Sequence, residues 1–176
     1  RRDFIPSVID HRRHKMPSLQ RLNPGLVGWR GPGDDDAMFT GHCHCERTRY
    51  RIDVEVLDDV AICHCSACRR STGGTHVTWA TVPRAKFHWT GEAPTEYRSS
   101  EHGARFFRPR CGAQLAFVTS RVPQDIDVTV TTLDQPEHGA PDRHTWVASK
   151  LPWVHLDDGL PREMRETPRG NPDAYA

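Results

Sequence analysis

Along the chain, apolar and polar positions alternate with a period of two and do not recur every three or four residues. In TRYRIDVEV at 48–56, Tyr50, Ile52, Val54 and Val56 interleave with polar neighbours. HVTWATV at 76–82, KFHW at 86–89, ARFFR at 104–108, QLAFVT at 114–119 and DIDVTVTTL at 125–133 are rich in β-branched and aromatic residues, which favour a pleated, half-buried strand. Pro83, Gly91, Pro94, Gly103, the stretch Pro109 to Gly112, and Pro123 interrupt these runs, leaving segments of strand length. No segment carries the repeat of a long amphipathic helix. The pattern predicts a mainly β fold, with small antiparallel sheets packed as a compact sandwich and few or no long helices.

The two ends break this pattern. Residues 1–37 are rich in Arg, Pro and Gly and close on GPGDDDA, a turn-and-acid segment of the kind that joins an extension to a domain. The organised pattern occupies 38–161, and 162–176 is polar and Pro-containing, which predicts a flexible tail. With 176 residues, the chain has room for one domain between these segments. Its 24 basic and 23 acidic side chains give a net charge of +1, too weak a field to predict nucleic-acid binding. A mean hydropathy of −0.70 and the lack of a long apolar run argue against a membrane span. Residues 1–20 lack the apolar core of a secretory signal, so the expected compartment is the cytoplasm. In that reducing setting, clustered cysteines point to metal ligands or reactive thiols more than to disulfides.

Five of the six cysteines fall between 43 and 68. The sharpest group is Cys63-His64-Cys65-Ser66-Ala67-Cys68. Three thiolates spaced C-x-C-x-x-C can converge on one tetrahedral ion at about 2.3 Å and leave its fourth corner open, as catalytic zinc sites do. Soft sulfur ligands favour zinc over magnesium, calcium or manganese, and an iron–sulfur cluster would need a fourth cysteine from elsewhere. His64, between two ligands, is expected to point away from the ion and to pack or hydrogen-bond behind it.

The second group is Cys43-His44-Cys45 with the distant Cys111. A C-x-C turn facing a C-x-x-C turn would close a four-thiolate structural site, but position 108 is Arg, which cannot ligate. Two alternatives stand. Either the three cysteines hold an ion with water, His42, His44 or His102 as the fourth ligand, or the site is empty and the thiols are small buried hydrophobes.

Six blocks in order carry a wider resemblance. They are Gly41-His42-Cys43-His44-Cys45 followed by Tyr50, the run Cys63 to Gly74, Gly91 with Tyr97, Ser99 and Ser100, Phe107 to Gly112, Thr132-Leu133-Asp134, and Lys150-Leu151-Pro152-Trp153. Together, over about residues 39–161, they resemble the glutathione-dependent formaldehyde-activating enzyme family, which also contains centromere protein V. The resemblance implies a zinc-binding fold of small β-sheets and a carbon–sulfur lyase activity, that of S-(hydroxymethyl)glutathione synthase. It implies a catalytic zinc on Cys63, Cys65 and Cys68, and matches Cys43, Cys45 and Cys111 to three ligands of a structural zinc. Two positions depart from the family pattern: Arg108 stands where the family has cysteine, and Glu46 where glycine is common.

The expected partners are a small thiol, glutathione, and a small aldehyde, formaldehyde, meeting at the open corner of the zinc to form a hemithioacetal. Arg69 and Arg70 could clamp a glutathione carboxylate while Gly73 and Gly74 let backbone N–H groups approach it. Against this, paired arginines beside a turn are often simply solvated. For Trp79, Trp89, Trp146 and Trp153 the expectation is packing in or beside the sheets. The alternative function is a non-catalytic zinc module that binds a thiol metabolite or a macromolecule. Oligomeric state is not legible in these patterns.

Overall fold

The computed structural model describes residues 39–165. The expected extension over 1–37 and most of the expected tail, 166–176, lie outside the described residues. Among the described residues, ten strands form two sheets. β1 (Phe39–His42), β2 (Arg49–Ile52) and β5 (Phe87–Trp89) make a three-stranded antiparallel sheet in the order β1-β2-β5. The larger sheet runs β10-β3-β4-β9-β8-β7-β6, where β3 is Val60–Cys63, β4 Val77–Pro83, β6 Thr95–Arg98, β7 Gly103–Phe107, β8 Gln114–Thr119, β9 Asp125–Thr129 and β10 Arg143–Thr145. Every pairing is antiparallel except that of β10 with β3. Among the described residues the one α-helix is α1 (Ser66–Thr72). The mainly β expectation is met, with one parallel edge pair added.

Alternation explains how the sheets pack. On β4, Ala80 and Val82 face the same side as Val128 and Ile126 of β9 and Ala116 of β8, and together with Val60 and Leu115 they meet Tyr50, Ile52 and Phe87 of the small sheet. This is the sandwich interior, in which Tyr50 stacks on Phe87 with ring centroids 5.3 Å apart. Gly41 lets the small sheet close over it, because a Cβ there would strike the Tyr50 hydroxyl and the Thr132 carbonyl. That hydroxyl is bonded to the Thr132 hydroxyl at 2.8 Å, which satisfies a buried polar group.

The other face of the large sheet carries a second, smaller cluster. Trp79, Val77 and Phe117 point that way, and the chain after β3 folds over them as the Cys65 turn and α1. This edge is held by buried charge. Arg143 is 7% exposed and pairs with Asp59 at 2.7 Å, Asp142 at 2.8 Å and Glu163 at 3.6 Å, and such pairing lets a charged strand sit inside. Arg162 bridges to His144, and the Glu163 N–H donates to the His144 carbonyl at 2.8 Å. Thus 162–164, placed in the tail by sequence, lie along β10. Trp79, Trp89 and Trp146 pack against the two clusters, whereas Trp153 is 66% exposed, which corrects the packing expectation for that one. No helix among the described residues is long and apolar enough to cross a membrane.

Candidate functional site

The inner cysteine group is built at a strand end and a helix start. Cys63 closes β3, and Cys65 is the N-cap of α1, its sulfur accepting the Cys68 N–H at 3.3 Å. Cys68 lies in the first helical turn. The Cys65 backbone is extended, and Gly73 in the left-handed region ends the helix, so this short segment turns sharply at both ends. The three sulfurs lie within 4.8 Å of one another, close to the spacing of about 3.8 Å that thiolates take around a tetrahedral ion. Among the described residues no other His, Cys, Asp or Glu joins the set. These side chains could hold a metal, and their soft sulfurs suit zinc.

Crowding makes the thiols interdependent. Hydrogen bonds from Cys63 and Cys68 hold the Cys65 thiol far below its usual range, and the reciprocal bond to Cys65 holds Cys63 well above it. Arg105, from β7 on the sheet below, donates to the Cys68 sulfur at 3.7 Å. Its guanidinium lies 4.9 Å from the centre of the Phe117 ring. Arg105 is 7% exposed, and its Nη1 is buried with no hydrogen-bond partner among the described residues.

His64 points away from the cysteines, as expected, into a hydrogen-bonded chain. Its Nε2 is 2.9 Å from His144 Nδ1, and His144 Nε2 is 2.8 Å from the Asp158 carboxylate. An ionised Asp158 can only accept, so His144 donates to it from Nε2, and with both rings neutral His144 accepts at Nδ1 from the Nε2–H of His64. That fixes both neutral tautomers and leaves a lone pair on His64 Nδ1, which is buried. Burial, then His144 and His76, lowers the His64 pKa to about 4, and the bond from His144 lowers that of Asp158. The backbone repeats the tie, with the His64 N–H donating to the Thr145 carbonyl at 3.0 Å.

Arg69 and Arg70 lie on α1 directly after the third cysteine, with Arg69 partly buried and Arg70 exposed. Gly73 and Gly74 are exposed at the far end of the helix, where the φ of +70° at Gly73 serves to end it. Arg105, His144 and Asp158 were not singled out in the sequence. The one visible signal was Arg105 itself, a charge set in an otherwise apolar strand.

The outer group also comes together. Cys43, Cys45 and Cys111 have sulfurs within 4.8 Å of one another, and Cys43 and Cys45 are 3.5 Å apart. Burial pushes the Cys43 thiol up. The backbone N–H of Arg47, then Cys43, Cys111 and Arg108, bring Cys45 down to about 7. None of His42, His44 and His102 joins this group among the described residues. His42 is engaged by the Cys43 carbonyl and Asp134, and His102 by Ser120.

Comparison with known proteins adds an independent line. A Halomonas elongata protein named "Putative glutathione-dependent formaldehyde-activating enzyme" is 25% identical over 152 residues, covering 77% of this chain and 90% of that protein. A crystal structure of a Rhodobacter sphaeroides protein aligns with a TM-score of 0.47 at 21% identity, over 70% of this chain and 98% of that one. The family model described as "Glutathione-dependent formaldehyde-activating enzyme" matches residues 38–149, the span that carries both cysteine groups, and this chain belongs to that family.

Proposed function

We propose that the protein is a carbon–sulfur lyase of the S-(hydroxymethyl)glutathione synthase type, joining a thiol such as glutathione to formaldehyde at a zinc ion held by Cys63, Cys65 and Cys68. The observation that carries this reading is the convergence of those three sulfurs, with no fourth ligand joining them among the described residues. Family membership supports the choice of substrates. Zinc bound there would supply a Lewis acid with an open side, able to lower the pKa of a thiol or polarise a carbonyl.

The chain's own residues do the rest. Cys65 is held twice, as ligand and as helix cap, so the turn presents a fixed face to the substrate. The chain from His64 through His144 to Asp158 anchors the backbone between Cys63 and Cys65 against β10. Three thiolates around a dication carry a net negative charge, which the Arg105 guanidinium beside Cys68 offsets. Arg69 and Arg70, with the Gly73–Gly74 segment, are assigned to a carboxylate of glutathione. In the reaction the thiol sulfur bonds to the carbonyl carbon, the π pair moves to oxygen, and the thiol proton ends there. Nothing is oxidised.

Magnetisation exchange between glutathione and its formaldehyde adduct tests the proposal. Exchange should accelerate in proportion to protein concentration, and the acceleration should vanish in Cys65→Ser. Saturable glutathione binding with an unchanged exchange rate would instead assign a non-catalytic thiol-binding module.

A further inference from the structure

We propose that Arg108 closes the outer cysteine cluster in place of a metal ligand, so that Cys43, Cys45 and Cys111 form a metal-free site held by a guanidinium. This does not depend on the proposed lyase activity.

The backbone around this cluster is laid out as two matching turns. In the first, the Glu46 N–H donates to the Cys43 carbonyl at 2.8 Å, and Glu46 has a φ of 59°. In the second, the Gly112 N–H donates to the Arg108 carbonyl at 2.8 Å, the Arg108 N–H donates to the Ala113 carbonyl at 2.9 Å, and Gly112 has a φ of 73°. Each turn thus has a left-handed residue directly after its second cysteine position, a conformation that costs Glu46 more than it costs Gly112. Two turns of this kind offer four side chains to one point: 43 and 45 from the first, 108 and 111 from the second. Three are cysteines whose sulfurs have come together. The fourth is Arg108.

Its side chain does not swing out to solvent. It is 15% exposed and ion-paired through Nη2 to Glu92, and its charge is among the groups that lower the Cys45 thiol. Glu92 is itself braced by Arg47 at 3.4 Å. A guanidinium carries five N–H donors, no free lone pair and a fixed charge. At the fourth corner it cannot ligate, it opposes a second positive charge, and it gives sulfur the electrostatic partner that a dication would otherwise supply. The three histidines that could have completed the set do not join it among the described residues. Arg105 beside the inner triad differs in place. It reaches Cys68 from another strand and occupies no position in the ligand turn.

The test is a metal count. The full chain is equilibrated with excess zinc, dialysed against metal-free buffer and analysed for zinc per chain. One ion is expected in the wild type, one in Cys111→Ser and two in Arg108→Cys. Two ions in the wild type, loss of an ion in Cys111→Ser, or a folded Arg108→Cys that gains none would each overturn the inference. Should Arg108→Cys fail to fold, the wild-type and Cys111→Ser counts decide. A wild type with no zinc and an Arg108→Cys with one would leave this inference standing and defeat the proposed function instead, so the two failures are distinguishable.

Discussion

The protein brings cysteines together twice, and the two groups differ in what surrounds them. The inner triad sits at a strand end and helix cap over the second face of the large sheet, with Arg105 and a histidine chain reaching it from other strands. The outer triad sits on two turns at the rim of the main core, where Cys43 is fully buried in the apolar cluster of Tyr50 and Leu115. In both, the three sulfurs lie within 4.8 Å of one another. What separates them is the fourth direction: at the inner group no ligand from the described residues fills it, and at the outer group the ligand turn carries Arg108, ion-paired to Glu92, at the position we assign to it. On the proposed reading, the group at the remaining corner decides whether converging thiols make a metal centre.

The sharpest way to break this comparison is to remove one sulfur from the inner side. Cys65→Ser should lose its bound zinc and the acceleration of thiol–aldehyde exchange, because a two-thiolate remnant lacks a third ligand, while the serine still caps the helix. Metal analysis and exchange spectroscopy on the same preparation check both. If Cys65→Ser kept its ion and its activity while an outer substitution lost them, the assignment of the two sites would be reversed.

Next in size is the charge beside the inner triad. Arg105→Met should lower activity or metal affinity about 10- to 100-fold, the usual cost of removing a group that supports a metal's ligands. Arg105→Lys should recover part of it, since it restores the charge without the planar fork. Competition with a chromophoric chelator measures the affinity. An Arg105→Met with unchanged affinity and activity would leave Phe117 packing as the residue's whole role.

A smaller effect is expected at the outer group. If Cys43 is a buried thiol and not a ligand, Cys43→Ala should cost about 1–2 kcal/mol, the scale of a small cavity in a core. Urea unfolding of zinc-loaded protein measures it, and the loss of a whole metal ion would show as a far larger shift. The smallest effect concerns the far end of the histidine chain. Asp158 is held below its ordinary carboxylate range by His144, so its contribution is fully present above about pH 3.9 and is lost as pH falls through the depressed value. The gap in urea midpoint between wild type and Asp158→Ala should stay constant from about pH 5 to 8 and close below about pH 4. A gap that persisted in acid would mean that the carboxylate acts through packing alone.

Much of this was legible along the chain. The alternating segments at 48–56, 76–82, 86–89, 104–108, 114–119 and the start of 125–133 coincide with β2, β4, β5, β7, β8 and β9; β2 turns one face to the core, whereas β4 sets Ala80 and Val82 on the main core and Val77 and Trp79 on the second cluster. Four strands gave no such signal. β3 reads Val-Ala-Ile-Cys and is largely buried, so it does not alternate. β10 reads Arg-His-Thr and is fully buried, its polarity offset by Asp59, Asp142, Glu163 and Asp158. The other two are β1, which holds Gly41, and β6, an edge strand with every residue exposed. Trp153 misled in the opposite direction, since a large aromatic side chain does not by itself say that a surface exists to receive it.

The amino-acid order alone determined the Cys63, Cys65 and Cys68 group and the turn that presents it, because residues two to five apart meet through local backbone geometry whatever surrounds them, whereas Cys111 joins Cys43 and Cys45 only through the fold. That order also placed a residue that cannot ligate at position 108. Only the tertiary structure decided which cations and histidines stand beside the sulfurs. Arg105 lies 37 residues from Cys68 and His144 lies 80 from His64. Those distances are closed by strand register, where a slip of one residue would turn each side chain to the opposite face of the sheet.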